Sequence, residues 1–322
     1  MARAVPGEPP RSRWAARACD DRPGDDINPS ASPDGSKLAY TSVHRATDIW
    51  KLDVPTLQLS QLTSETSTEK YPRVSPDGRK MLFYSDRSGR YEIWMMDLRT
   101  KELAQVSQGN AEGDAAWAPD GRSVAYSESR RLRVLDLKSR RLHTLGPDLH
   151  LGAPSFSPDG RSVCSIAVDM DSRDGKQLQI YRMPVGGGEA TAVPTPEGAP
   201  FSCLWSLDGA AIYYDLFILN GTQRHIWAVN LASGRSRQIT TGEDDNADPA
   251  LSPDGRNLLF LRDHRQLFVM PAKGGEPRLL YSFKSNQIAE NPAWTPDGRG
   301  IVFSMSEKTG DIFVLQPAGK KP

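Results

Sequence analysis

Apolar residues along this chain come in short runs, separated by polar stretches too frequent for helices. One set of runs reads KLAYTS at Lys37, KMLFYS at Lys80, SVAYSE at Ser123, NLLFLR at Asn257 and GIVFSM at Gly300. A polar tip follows each, and then a second set: DIWKLD at Asp48, EIWMMD at Glu92, RLRVLD at Arg131, QIYRMP at Gln179, HIWAVN at His225, QLFVMP at Gln266 and DIFVLQ at Asp311. Weaker runs such as LSQLTS at Leu59, LAQVSQ at Leu103 and SRQITT at Ser236 close most units. Short β-branched and aromatic runs bounded by turn residues predict strands, and no window of helical length carries a helical period.

The turns supply the period. Ser-Pro-Asp-Gly or a near copy occurs around Asp34, Asp77, Asp120, Asp159, Asp208, Asp254 and Asp297, at intervals of 43, 43, 39, 49, 46 and 43 residues. Proline presets φ, aspartate bonds its own backbone and glycine takes the left-handed conformation. Four strands per unit at this spacing predict an all-β, seven-bladed β-propeller with four-stranded blades. The last unit ends at DIFVLQ without a fourth strand. Residues 12–20 (SRWAARACD) stand as far before Asp34 as fourth strands stand before their next turns. The N-terminal strand is therefore expected to close the last blade. The reading is a disordered segment over 1–11, a single propeller over 12–316 and a tail over 317–322.

Composition narrows the class. Forty basic and forty acidic residues give net charge zero, against a nucleic-acid partner. No run approaches the length of a spanning helix, so no membrane insertion is expected. Cys19, Cys164 and Cys203 are too few and scattered for a disulfide framework or a zinc knuckle. Residues 1–22 lack an apolar segment of the secretory kind, which reads as a cytoplasmic chain or as a piece of a longer one.

The unit x-P-x-W/F-S-P-D-G-R…D-I-W-x-M-D, seen in YPRVSPDGRKMLFYS and EIWMMD from Tyr71, resembles the WD40-like PD40 repeat of TolB-type propellers. The resemblance covers residues 28–316 and implies a bacterial, non-enzymatic binding propeller, monomeric, periplasmic if the chain is part of a longer TolB-like protein. Similar propellers follow winged-helix or kinase modules in some bacterial regulators and precede the hydrolase domain of oligopeptidases. The alternatives it leaves open are a hydrolase or lyase with a cation at the channel mouth, and the sensor portion of a larger regulator. No G-x-S-x-G nucleophile elbow occurs.

Candidate site residues follow from the repeat. The residue six before each turn aspartate opens the innermost strand beside the central channel: Asn28, Tyr71, Asp114, Ala153, Ser202, Asp248 and Asn291. Its Asn and Asp members make a polar mouth, or else satisfy strand-entrance backbone. In the fifth unit the run Leu216-Phe-Ile-Leu219 precedes Asn220-Gly221, a type I′ turn pair. Phe217 and Ile218 are expected to present an apolar patch on the loop face. Asp169 to Gly175 reads as a polar hairpin tip rather than a calcium loop, since it lacks the distal glutamate. The basic residues beside the turns, such as Arg79 and Arg256, read as solvated turn residues. The five histidines, His44, His143, His150, His225 and His264, show no metal-ligand spacing. No cofactor or catalytic residue is assigned. The partner is a protein or small ligand held on the loop face.

Overall fold

The computed structural model describes residues 25–109, 111–168, 178–218 and 221–315. It divides into two compact units, residues 46–307 and residues 1–45 with 308–322. Among the described residues there is no helix, hence none long and apolar enough to cross a membrane.

The larger unit is a ring of six antiparallel blades. Blade 1 runs Glu69–Val74, Lys80–Ser85, Glu92–Asp97 and Leu103–Gln105 from channel to rim. Blade 2 is Ala111–Trp117, Ser123–Glu128, Arg131–Asp136 and Leu142–Leu145. Blade 3 is His150–Phe156, Ser162–Val168, Leu178–Pro184 and Thr191–Val193. In blade 4 the innermost strand is broken into Ala199–Pro200 and Leu204–Trp205, followed by Ala211–Phe217, Arg224–Asn230 and Ser236–Gln238. Blade 5 is Asn246–Leu251, Asn257–Arg262, Gln266–Pro271 and Arg278–Ser282.

Blade 6 corrects the expected blade number. Its strands lie in the order Gln287–Trp294, Gly300–Leu315, Leu38–Asp53 and Leu59–Gln61. The last repeat thus gives its first two strands, and the first repeat gives its last two. Thr47 and Ser306 hydroxyls bond across this junction at 2.8 Å. Seven turn motifs therefore build six blades, not seven, because two half-repeats are spent on one blade. Closure is made by residues 46–61, and the segment 12–20 lies outside the described residues.

Strand alternation packs each blade on its neighbours. Six apolar clusters fill the interfaces; Ile49 meets Met81, Phe83 and Met96 between blades 6 and 1, and Leu82 and Ile93 meet Val124 and Tyr126 between blades 1 and 2. A four-stranded sheet has two apolar faces and can bury both only between two others. In blades 6, 1 and 4 a hydroxyl just past the outer strand ties back to the third strand of the same blade: Thr63, Ser107 and Thr240 accept the N–H of Ile49, Ile93 and Ile226 at 2.9, 2.8 and 2.9 Å.

The turns behave as their residues dictate. In blade 1 Ser75 donates to Asp77 Oδ1 at 2.6 Å, and that oxygen accepts the N–H of Arg79 at 3.1 Å. These bonds hold the Asp77 carboxyl below its usual range. The cations beside the turns offer backbone N–H groups, and among the described residues only Arg256 reaches its aspartate by side chain, at 3.9 Å.

In the smaller unit, Asp25–Ala31 pairs with the start of Leu38–Asp53 about the Asp34 turn, from Asp25↔Val43 to Ala31↔Leu38.

Candidate functional site

The repeat position six before each turn aspartate is where the innermost strands break register. Shifts fall between Lys70 and Arg73, Ala111 and Ala115, Gly152 and Ser155, Ala247 and Ala250, and Glu290 and Ala293. Tyr71, Ala153, Asp248 and Asn291 hold φ of 55°, 48°, 54° and 54° there, and in blade 2 Gly113 takes the strain at 103°. A following proline steers Tyr71, Ala153, Asp248 and Asn291 away from the right-handed region, and the left-handed one costs a non-glycine residue about 1 kcal/mol. Neighbouring blades hold the bulges: Asp248 Oδ2 accepts the N–H of Asn291 at 3.1 Å, and Ser304 Oγ that of Tyr71 at 3.1 Å.

The bulges line a channel with a cavity of about 990 Å³. Its wall runs from the turn prolines Pro76, Pro119, Pro253 and Pro296 to His150, Phe201 and His264 among the loops. Tyr71, Asp114, Ala153, Ser202, Asp248 and Asn291 all line it. Asn28 does not. It adopts the same bulge, φ 54°, but in the hairpin of the smaller unit, because that half-repeat contributes no innermost strand to the ring.

Two groups of charges meet the wall, through Arg73 and Asp114 and through Arg224 and His264. In the first, Arg73 Nη2 lies 2.6 Å from Asp114 Oδ2, while Arg73 Nη1 donates to the carbonyls of Pro72 and Asn291 at 3.0 and 3.3 Å. Asp114 is 6% exposed. Burial pushes its carboxyl up to about 6 despite the arginine. In the second, Arg224 grips Asp245 with Nε and Nη2, at 2.7 Å for the closest approach. Arg224 Nη2 also lies 2.7 Å from His264 Nε2. Asp215, with no exposed surface, takes a hydrogen bond from Ser202; its Oδ2 has no hydrogen-bond donor and stands 3.6 Å from Arg224 Nη1. Burial first, and Asp248 second, raise Asp215 to about 6.

Arg73, Asp215 and Arg224 were not singled out in the sequence. Arg73 follows the proline of its bulge, and Asp215 and Arg224 sit near a hairpin that looked like a simple lengthening of its blade. The signal lay in the break of blade 4, where residues 201–203 leave the strand and bring Ser202 to Asp215. Leu216 is buried in the core between blades 3 and 4, and Ile218 packs on the edge of that core. Phe217 is 37% exposed and Phe201 50% exposed. Leu219, Asn220 and the loop from Asp169 to Gly175 lie outside the described residues. The side chain of His44 is likewise not described. Among the described residues no three His, Cys, Asp or Glu side chains converge to hold a metal.

The repeat grammar, the closed ring and the bulged channel coincide with one family. The model of the TolB beta propeller domain, PD40, matches residues 15–161 and 116–319. The chain belongs to this family. It is 25% identical over 281 residues to the Tol-Pal system protein TolB of Francisella tularensis, 83% of this chain and 54% of that protein. It is 36% identical over 91 residues to the uncharacterized peptidase YuxL of Bacillus subtilis, 27% of this chain and 14% of that protein. Its matches thus span at most about half the length of these relatives. A solved structure of putative TolB from Agrobacterium tumefaciens superposes with a TM-score of 0.69 at 21% identity, covering 82% of this chain and 99% of that one, and shares the fold.

Proposed function

We propose that this propeller is a non-catalytic binding module that takes a protein or small ligand at the loop-side mouth of its channel. The observation that carries the reading is the channel itself. Its wall is made of bulges that hold a non-glycine residue in an unfavourable backbone conformation in four of six blades, and such strain persists where surroundings over-determine it, commonly at ligand sites. Likeness to TolB, a component of the Tol-Pal system by its name, agrees with a partner protein. Phe217, exposed at the loop end of blade 4, offers apolar contact.

Two variants test this. Gly152→Phe adds a side chain to the channel wall at a position where a Cβ meets nothing within 4 Å. Phe217→Asp charges the loop face without touching the core. Retention of the same ligand or partner by the wild type and its loss from both folded variants supports the reading; equal retention by both variants overturns it. A second reading, a propeller hydrolase or lyase, has one observation in its favour. Asp114 and Asp215 are held at about 6, where a carboxyl can exchange protons near neutrality. It requires turnover that Asp114→Asn or Asp215→Asn abolishes.

A further inference from the structure

The balance of charges in the channel decides which ligand chemistry fits. The basic groups are already engaged. Arg73 spends its donors on Asp114 and on two backbone carbonyls, Arg224 is bound bidentately by Asp245, and Lys70 stands 3.7 Å from Glu290. The acids are in surplus. Among the described residues Asp248 makes no ion pair, and its only hydrogen bond is the N–H of Asn291. Behind it Asp215, wholly buried, keeps one carboxylate oxygen without a donor, facing Arg224 on the wall at a distance too long for a hydrogen bond. Asp248 acts electrostatically on both Asp114 and Asp215, carboxyls from two other blades, so these acids repel one another within the channel. They do not converge closely enough to chelate a metal. The Phe201 ring, half exposed at the mouth, already receives one guanidinium, that of Arg224 at 5.9 Å.

We propose that the channel recognises an organic cation, an ammonium or guanidinium group, which enters past Phe201 and pairs with Asp248 in front of Asp215. The inference rests on the binding reading above and gives it a ligand class. An anion would meet guanidinium donors already spent and the carboxylates Asp114, Asp248 and Glu290 on the same wall. A cation relieves the repulsion and supplies the missing charge. The cation has two sources, a basic side chain of a partner or a free polyamine.

Calorimetric titration distinguishes them, using N-acetylated, amidated tetralysine, spermidine and, as control, the matching tetraglutamate. The chain is expected to bind a cationic probe and not tetraglutamate. Binding of spermidine but not tetralysine assigns a small free amine; the reverse assigns a peptide. Asp248→Asn is expected to weaken the bound cation about tenfold, whereas Glu65→Gln, an exposed acid away from the channel, leaves it unchanged. Affinity should also rise between pH 5 and 7.5. Asp215 faces Ser202, Arg224 and Asp248, and Asp114 faces Arg73 and Asp248; both acids ionise near 6, and a cation prefers them ionised. Equal losses in the two variants, affinity that falls with pH, or no binding of either cation overturns the proposal. In the last case, loss of a partner from Phe217→Asp alone leaves the binding module standing and removes only its cation.

Discussion

Replacing Arg73 by methionine tests whether the channel charges are bound by the physics described above. Methionine keeps much of the side-chain length and removes the charge that faces Asp114 at 2.6 Å. The buried carboxyl then has two options, to stay ionised unpaired or to take up a proton. Protonation sets the ceiling on the cost. With Arg73 present the carboxyl titrates at about 6, above the ordinary 3.8, so ionising it already costs folded-state stability above pH 6. At pH 8 the neutral acid lies about two pH units further uphill, and at about 1.4 kcal/mol per unit the variant loses up to roughly 3 kcal/mol. At pH 5 the carboxyl is mostly protonated in both proteins and the loss falls below about 0.5 kcal/mol. For a domain of this size that is a Tm drop of roughly 5–10 °C at pH 8 and little at pH 5. Thermal unfolding at the two pH values measures it. Adding Asp114→Asn to the variant should remove the pH dependence. A drop at pH 5 as large as at pH 8 would show that Arg73 acts by packing, and the electrostatic account of the channel would fall.

Gly198→Ala should destabilise blade 4 by about 2 kcal/mol or more, since the new Cβ would lie 2.5 Å from the Phe217 carbonyl oxygen at φ 151°, where backbone must move. Gly35→Ala, at φ 65° with open space around it, should cost only about 1 kcal/mol, and comparison of Tm values separates a clash from a conformational cost. A chain trimmed to residues 46–307 keeps blades 1 to 5 whole and residues 46–53 and 300–307 of the two middle strands of blade 6, and should give the far-ultraviolet dichroism of a folded all-β protein with a cooperative melt. A non-cooperative melt would show that the ring needs the remaining residues.

The sequence determined the blades almost completely. Short apolar runs at alternating strand period, spaced by Pro-Asp-Gly turns, have one good way to bury both faces of each sheet. The turn aspartates and the register six residues before them were legible because each acts within its own repeat. Blade number was not. Seven turns are consistent with seven blades or with six and two half-repeats, and only the pairing of Gly300–Leu315 with Leu38–Asp53 decides between them. Local chemistry cannot specify which strands meet across some 250 residues, because that contact is chosen by how many sheets close a ring. The same limit governed the site. Tyr71, Asp114, Asp248 and Asn291 share one register in the repeat, and that register lines the channel. Asn28 shares that register, yet its half-repeat adds no inner strand to the ring. Arg73, Asp215 and Arg224 lie at no shared register, and their charges acquire meaning only when curvature brings blades 1, 2, 4 and 5 around one cavity. Burial and mutual repulsion, which raise Asp114 and Asp215 to about 6, are properties of that enclosure and not of any segment of the chain.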